Sequence, residues 1–221
     1  MIERGHIMLN ELLGKFKDLC GLKKVEDDQY KSFKLSGMNF DTEAYEAEGL
    51  GHISVMKASG MMGLMKMDSF IVNPFDADMP LLSIDRIKAM GKDSLYMEIY
   101  DTCLKSDRNE GPYEAVKEKY KGLADIAQEA KWYDDIRYKS SILKKVSRKE
   151  SPKIDECIRE YVNAYLEELK KADKCDNAQK KAKAREYSDG LINNGGPAVN
   201  TFLKAWGKGK TKDYFDKVLF G

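Results

Sequence analysis

The chain has 221 residues, enough to bury a sizeable core in one domain. Hydrophobic residues make up 42%, charged residues 34%, and the formal net charge is +1. This is the balance of an ordinary globular chain, and it lacks the basic excess that nucleic-acid binding requires.

No stretch approaches the ~18 apolar residues of a membrane span, and the N-terminus shows no basic-then-apolar signal segment. The expectation is a cytoplasmic protein with no membrane and no nucleic-acid partner. Cys20, Cys103, Cys157 and Cys175 form no CxxC pair and fit no zinc spacing, so they are expected as reduced thiols.

In chain order, Ile7, Leu9, Leu12, Leu13 and Phe16 follow helical spacing and predict a helix within residues 1–20. From Tyr30 to Tyr100 the texture changes to short alternating segments. "YKSFKLSGMNF", "DTEAYEAEGL", "GHISVMKAS", "MMGLMKMDSFIVNP" and "SLYMEIYDTC" predict four or five strands. The turns between them are too short for crossover helices, which implies antiparallel pairing. From Pro112 the pattern is helical through "PYEAVKEKYKGLADIAQEAKWYDDIRY". "SPKIDECIREYVNAYLEELKKAD" (151–173) is the clearest helix, with Ser151 and Pro152 at its start. Its apolar stripe runs through Ile154, Cys157, Ile158, Tyr161, Val162, Tyr165, Leu166 and Leu169. A basic helix follows from Asn177 to about Leu191, "NNGG" breaks it, and Pro197 opens another carrying Phe202, Leu203 and Trp206. A last short helix closes the sequence. Strands first and helices later give an α+β class. Residues 1–221 are expected to form one domain.

Familiar catalytic motifs are absent. There is no GxGxxG, Walker A, HExxH, GxSxG or EF-hand loop, and "GKGKT" (207–211) follows a helix where a phosphate loop follows a strand. His6 and His52 are the only histidines, which excludes a histidine-rich metal site. An enzyme with this inventory works with carboxylates, or with a substrate that carries its own redox chemistry.

Several segments resemble the ferredoxin-dependent bilin reductases. "SFIVNPFDADMPLLSID" (69–85) resembles that family's strand, proline turn and D-x-P-apolar-apolar-small-x-D segment, with Asp78, Pro80, Leu81, Leu82, Ser83 and Asp85 in those positions. "SLYMEIYDT" (94–102) resembles the next strand, and "IREYVNAYLEELKKAD" (158–173) a helix of similar texture. "GGPAVNTFLKAWGKGKTKDYFDKVLFG" (195–221) resembles the family's ending through Pro197, Ala198, Phe202, Gly207, Tyr214, Leu219 and Phe220. The resemblance implies an α/β/α sandwich, a central mainly antiparallel sheet flanked by helices. It implies a linear tetrapyrrole such as biliverdin as substrate, ferredoxin or flavodoxin as electron donor, no intrinsic cofactor, and a monomer. Three positions depart from the pattern. Ser69 stands where the family has histidine or asparagine, and Gly196 and Gly221 stand where it has aspartate.

The candidate site residues follow. Asp85 corresponds to the family's proton-donating aspartate; read from the sequence alone it is equally a helix N-cap or first-turn acid. His52, on a strand resembling a histidine-bearing one of the family, is a second catalytic candidate or a structural histidine. Ser69, Asp78 and Met67 are candidates for ligand contact. Met56, Met61, Met62, Met65 and Met67 fill a core or form an adaptable apolar wall. Two basic runs are either solvated faces or a docking surface for an acidic electron carrier. They comprise Arg137, Lys139, Lys144, Lys145, Arg148 and Lys149, and then Lys170, Lys171, Lys174, Lys180, Lys181, Lys183 and Arg185. Three functions stay open: a reductase of biliverdin or another open-chain tetrapyrrole, a non-catalytic tetrapyrrole-binding protein, and a helical adaptor with a structural sheet. The adaptor alone predicts no apolar pocket.

Overall fold

A computed structural model describes residues 7–105, 109–196 and 199–221; His6, Pro197 and Ala198 lie outside the described residues. An eight-stranded antiparallel sheet forms the middle layer. In chain order the strands are β1 (Leu22–Val25), β2 (Ser32–Leu35), β3 (Met38–Ala47), β4 (Gly51–Gly60), β5 (Met65–Pro74), β6 (Leu81–Ala89), β7 (Lys92–Tyr100) and β8 (Ile142–Ser147). β3 through β8 pair successively, while β1 and β2 share the outer edge of β3. The β2–β3 and β6–β7 hairpins turn on two residues each, Ser36-Gly37 and Met90-Gly91, all four with positive φ. This is the turn geometry whose twist matches that of the flanking strands.

The helices are α1 (Ile7–Leu19), α2 (Gly111–Lys119), α3 (Ser151–Leu169), α4 (Asn177–Asn194) and α5 (Val199–Tyr214), with a π turn at Phe215–Leu219. Strand alternation divides the sheet between two cores. Val55, Phe70, Val72, Leu82, Ile84, Leu95 and Met97 join Leu12, Phe16 and the buried stripe of α3 on one face. Ala44, Met56, Ala58, Ile71, Leu81 and Tyr100 face α4, α5 and the π turn on the other. Each fully buried Leu, Ile or Phe contributes about 1.5–3 kcal/mol. The layers therefore run helix, sheet, helix. The eight stripe residues expected on α3 are its buried residues.

The architecture departs from the sequence expectations in strand number, in one helix and in the setting of Asp85. The sheet has eight strands where four or five were expected; β1, β6 and β8 are the additions. The helix expected from Pro112 to Tyr138 ends at Lys119, and the chain then runs irregularly to β8. Asp85 sits inside β6 and not at a helix start. β6 was obscured because Arg86 occupies a core-facing position. Arg86 stays buried there by pairing with Asp93 at 2.7 Å and with Asp155 of α3.

Candidate functional site

The second helical layer does not close completely onto the sheet. Two adjoining cavities of about 540 Å³ and about 80 Å³ lie between them and share Met56, Met67, Asp85, Glu98 and Phe202. Their floor is one face of the sheet: Met56 of β4, Met67, Ser69 and Ile71 of β5, Ser83, Asp85 and Ile87 of β6, and Tyr96, Glu98 and Tyr100 of β7, with Met38 and Phe40 of β3 and Leu143 of β8 at the margins. The roof comes from Tyr187 and Leu191 of α4, Phe202 of α5, and Phe215, Leu219 and Phe220 at the C-terminus. The segment 126–133 forms a side wall of the larger cavity. A mostly apolar cleft with a few convergent polar groups is the usual form of a small-molecule site.

Asp85 stands on this floor because β6 alternates. Leu82 and Ile84 point to the α1–α3 core, while Leu81 packs in the core on the C-terminal side and Ser83, Asp85 and Ile87 point to the cleft. The carboxyl is half-buried, and its remaining access is onto the cleft that it lines. Loss of water raises its pKa to about 6; a hydrogen bond with Ser69 opposes the rise and the negative charge of Glu98 adds to it. Ser69 is its direct cross-strand neighbour on β5. An aspartic acid in this range can hold a proton near neutral pH and deliver it to a bound ligand.

Glu98 is the second acid of the cleft and was not singled out in the sequence. It accepts from Arg137 Nη1 at 2.9 Å, and Arg137 Nη2 lies 2.8 Å from Asp134. Tyr100 and Tyr187 stack behind it with centroids 4.2 Å apart, and Tyr133 meets Tyr100 edge-on at 5.5 Å. Burial pushes both stacked phenols well above their ordinary pKa, so they remain neutral donors and acceptors. A signal for Glu98 did exist. In "SLYMEIY" the alternation that buries Leu95, Met97 and Ile99 puts Tyr96, Glu98 and Tyr100 together on the other face.

Of the other expected site residues, Met67 and Ser69 line the cleft. His52 and Asp78 do not. His52 faces Asn73 in the register while Asp85 faces Ser69, four residues along and two strands across, roughly 15 Å away. Its Nε2 lies 2.8 Å from the Val218 carbonyl, and burial lowers its pKa, so the neutral ring donates there. Ser54 Oγ donates to the Leu219 carbonyl at 2.9 Å and Asn73 Nδ2 to that of Phe220 at 2.8 Å. Three side chains of the sheet thus fasten three consecutive carbonyls of the cleft's roof. Asp78 accepts from the amides of Leu104 and Lys105 at 2.8 and 3.1 Å, which ties the β5–β6 loop to the segment after β7.

The methionine cluster divides. Met56, Met65 and Met67 border the cleft, while Met61 and Met62 are exposed at the β4–β5 hairpin tip. The two basic runs are not continuous faces either. Lys144 is buried in β8, with Nζ 2.7 Å from Asp125. Lys180 is fully buried and donates to the carbonyl and hydroxyl of Thr102 at 2.6 and 3.0 Å.

Other hollows differ in character. One of about 210 Å³, bordered by Asp78, Cys103 and Glu168, lies toward α2 and α3, and an open one of about 740 Å³ beside His52 is lined by charges of both signs. Neither has the extended apolar walls of the Asp85 cleft. Among the described residues no helix is long and apolar enough to cross a membrane.

No family model matches the sequence, and no curated protein does. The structure is similar to the crystal structure of selenomethionine phytochromobilin synthase from tomato in complex with biliverdin. The TM-score is 0.75 at 13% identity, over 94% of this chain and 79% of that one. The two proteins share a fold. The shared architecture is the antiparallel sheet with helices on both faces.

Proposed function

We propose that this protein reduces a linear tetrapyrrole of the biliverdin type, taking electrons one at a time from ferredoxin or flavodoxin. The observation that carries this reading is Asp85, a carboxyl of raised pKa on the floor of an apolar cleft. The cleft lies between the sheet and the C-terminal helical layer, in a fold that in the tomato protein accompanies bound biliverdin. One electron from the donor makes a bilin radical, and Asp85 gives it a proton; a second electron and proton complete a two-electron reduction. Asp85 regains its proton through the open side of the cleft. Ser69 orients the carboxyl, and Met56 and Met67 adapt to the flat edge of the open-chain ligand. An adaptor with a filled interior is disfavoured by a cavity of about 540 Å³.

A second reading, a binding protein that does not reduce its ligand, is favoured by one observation. The aspartates that the family resemblance expects are absent at Gly196, where only the movable tip of Leu191 crowds a side chain, and at Gly221, where a φ of +82° and the His52 ring leave no room for one. A Cβ at Gly196 would meet Leu191 Cδ2 at 2.6 Å, and one at Gly221 would meet the His52 ring at 2.7 Å. Asp85 would then be the sole acid of the expected set.

The two readings separate in an anaerobic assay with biliverdin and reduced ferredoxin, followed by absorbance. A reductase shifts or bleaches the long-wavelength band. Asp85→Asn should bind biliverdin with nearly unchanged affinity and slow the protonation step by about tenfold or more, within the ~10²–10⁴ typical of a general acid. Unchanged turnover in that variant would remove Asp85 from the mechanism. A bound bilin that no reduced donor alters would leave the binding protein.

A further inference from the structure

On the floor of the cleft Asp85 has a second, buried carboxylate beside it, Glu98, and the two are fixed relative to each other; Glu129 of the side wall is exposed. Asp85 is opposite Tyr96, and Glu98 is opposite Ser83. The acids are therefore diagonal neighbours on adjacent strands, roughly 7–8 Å apart, with their Cβ atoms somewhat closer. Both border both cavities. Glu98 cannot swing away, because its side chain is 8% exposed and Arg137 holds it at 2.9 Å. Arg137 divides its charge between Glu98 and Asp134, so two carboxylates share one guanidinium and the group keeps a net negative charge.

The other groups facing Asp85 can be enumerated by element. β5 supplies the Ser69 hydroxyl; β7 supplies the Tyr96 and Tyr100 phenols; α4 supplies Tyr187. The side wall supplies Tyr133, Glu129 and Lys131, while α5 and the π turn present Phe202 and Phe215. Glu129 and Lys131 are exposed, which leaves Glu98 of β7 as the buried charge beside Asp85, in surroundings where charge is weakly screened.

We propose that Glu98, clamped by Arg137, is a positioning residue for the proton of Asp85: its fixed negative charge keeps that proton on the Asp85 carboxyl until a ligand takes it. The proposal deepens the reductase reading, but its electrostatic content does not depend on which ligand the cleft holds. Glu98 need not touch the reacting atoms; it acts through Asp85. Burial accounts for the largest part of the raised pKa of Asp85, and Glu98 adds to it in the same direction.

The test reads Asp85 without any ligand. In the ligand-free full chain, the infrared band of a protonated carboxyl is titrated with pH and assigned to Asp85 by its loss in Asp85→Asn. In wild type the midpoint is expected near pH 6. Glu98→Gln keeps the shape and an amide oxygen for Arg137 but removes the charge. The midpoint should fall on the order of one pH unit, the size of a unit charge at this range in a protein interior. Glu98→Asp restores the charge and should return most of the shift, a rescue that a merely structural role would not produce. If Glu98→Gln fails to fold, by near-ultraviolet circular dichroism, Asp134→Asn decides. It removes a charge from the same group and should lower the midpoint by a smaller amount. A midpoint unmoved in the folded variant would overturn the proposal. Because no bilin is present, failure of the reductase reading and failure of this proposal are separate results.

Discussion

At the scale of single residues, two titratable groups on one face of the sheet, Asp85 half-buried and His52 buried, respond to pH with opposite sign. Burial raises the folded-state pKa of Asp85 to about 6, so in this respect the folded chain binds a proton that the unfolded chain has released. Stability from this group is complete at low pH and is lost as pH climbs from about 4, the unfolded value, through 6. Asp85→Asn should therefore be more stable relative to wild type at pH 7 than at pH 4; urea denaturation at the two values measures the difference, and an equal difference at both would contradict the raised pKa. His52 behaves the other way, since burial lowers its pKa. Its contribution is complete above its unfolded value of about 6.5 and falls as acid protonates it. The chemical types of both residues were legible in the sequence; their partners were not. Asp85 could be matched to a family pattern, but Ser69 and Glu98 become its neighbours only through strand register. Nothing local to "GHIS" shows that His52 spends its ring on the Val218 carbonyl, 166 positions away in the chain.

At the scale of elements, the C-terminal π turn is held by side chains and not by strand pairing. His52, Ser54 and Asn73 reach the carbonyls of Val218, Leu219 and Phe220. Removing one such buried partner costs about 1–3 kcal/mol. His52→Ala should accelerate hydrogen exchange of the amides at 215–220, while those of β5 and β6 keep their protection. Unchanged exchange in that segment would contradict the fastening role. α3 was fully legible because one strong apolar stripe meets one apolar layer. β8 was not, because "ILKKVS" alternates around Lys144, whose charge reads as solvated until Asp125 and the Leu123 carbonyl are seen to hold it. Likewise the stretch after Lys119 has helical composition, yet it runs along the side of the cleft and makes tertiary bonds instead. The Asp101 amide donates to the Ile136 carbonyl and the Ile126 amide to that of Leu143.

At the scale of the whole molecule, the layer order places a cleft where the sheet and the C-terminal layer part. The order of strands and helices announced an α+β sandwich, and that is the architecture found. The cleft itself left no mark in the sequence, because it is the space that Phe202, Tyr187 and Phe220 do not fill. The central claim is that this cleft receives an open-chain tetrapyrrole, and an absorbance titration with biliverdin tests it most directly. Thr201, an exposed residue of α5 that borders the larger cavity, offers the control, since Thr201→Trp adds bulk at the rim without touching the core. The account predicts a shifted bilin band that saturates at one equivalent in wild type, and affinity weakened by about tenfold or more in Thr201→Trp, the size of an interface steric clash of ~1.4 kcal/mol. No spectral change in wild type, or identical titrations of the two proteins, would contradict it.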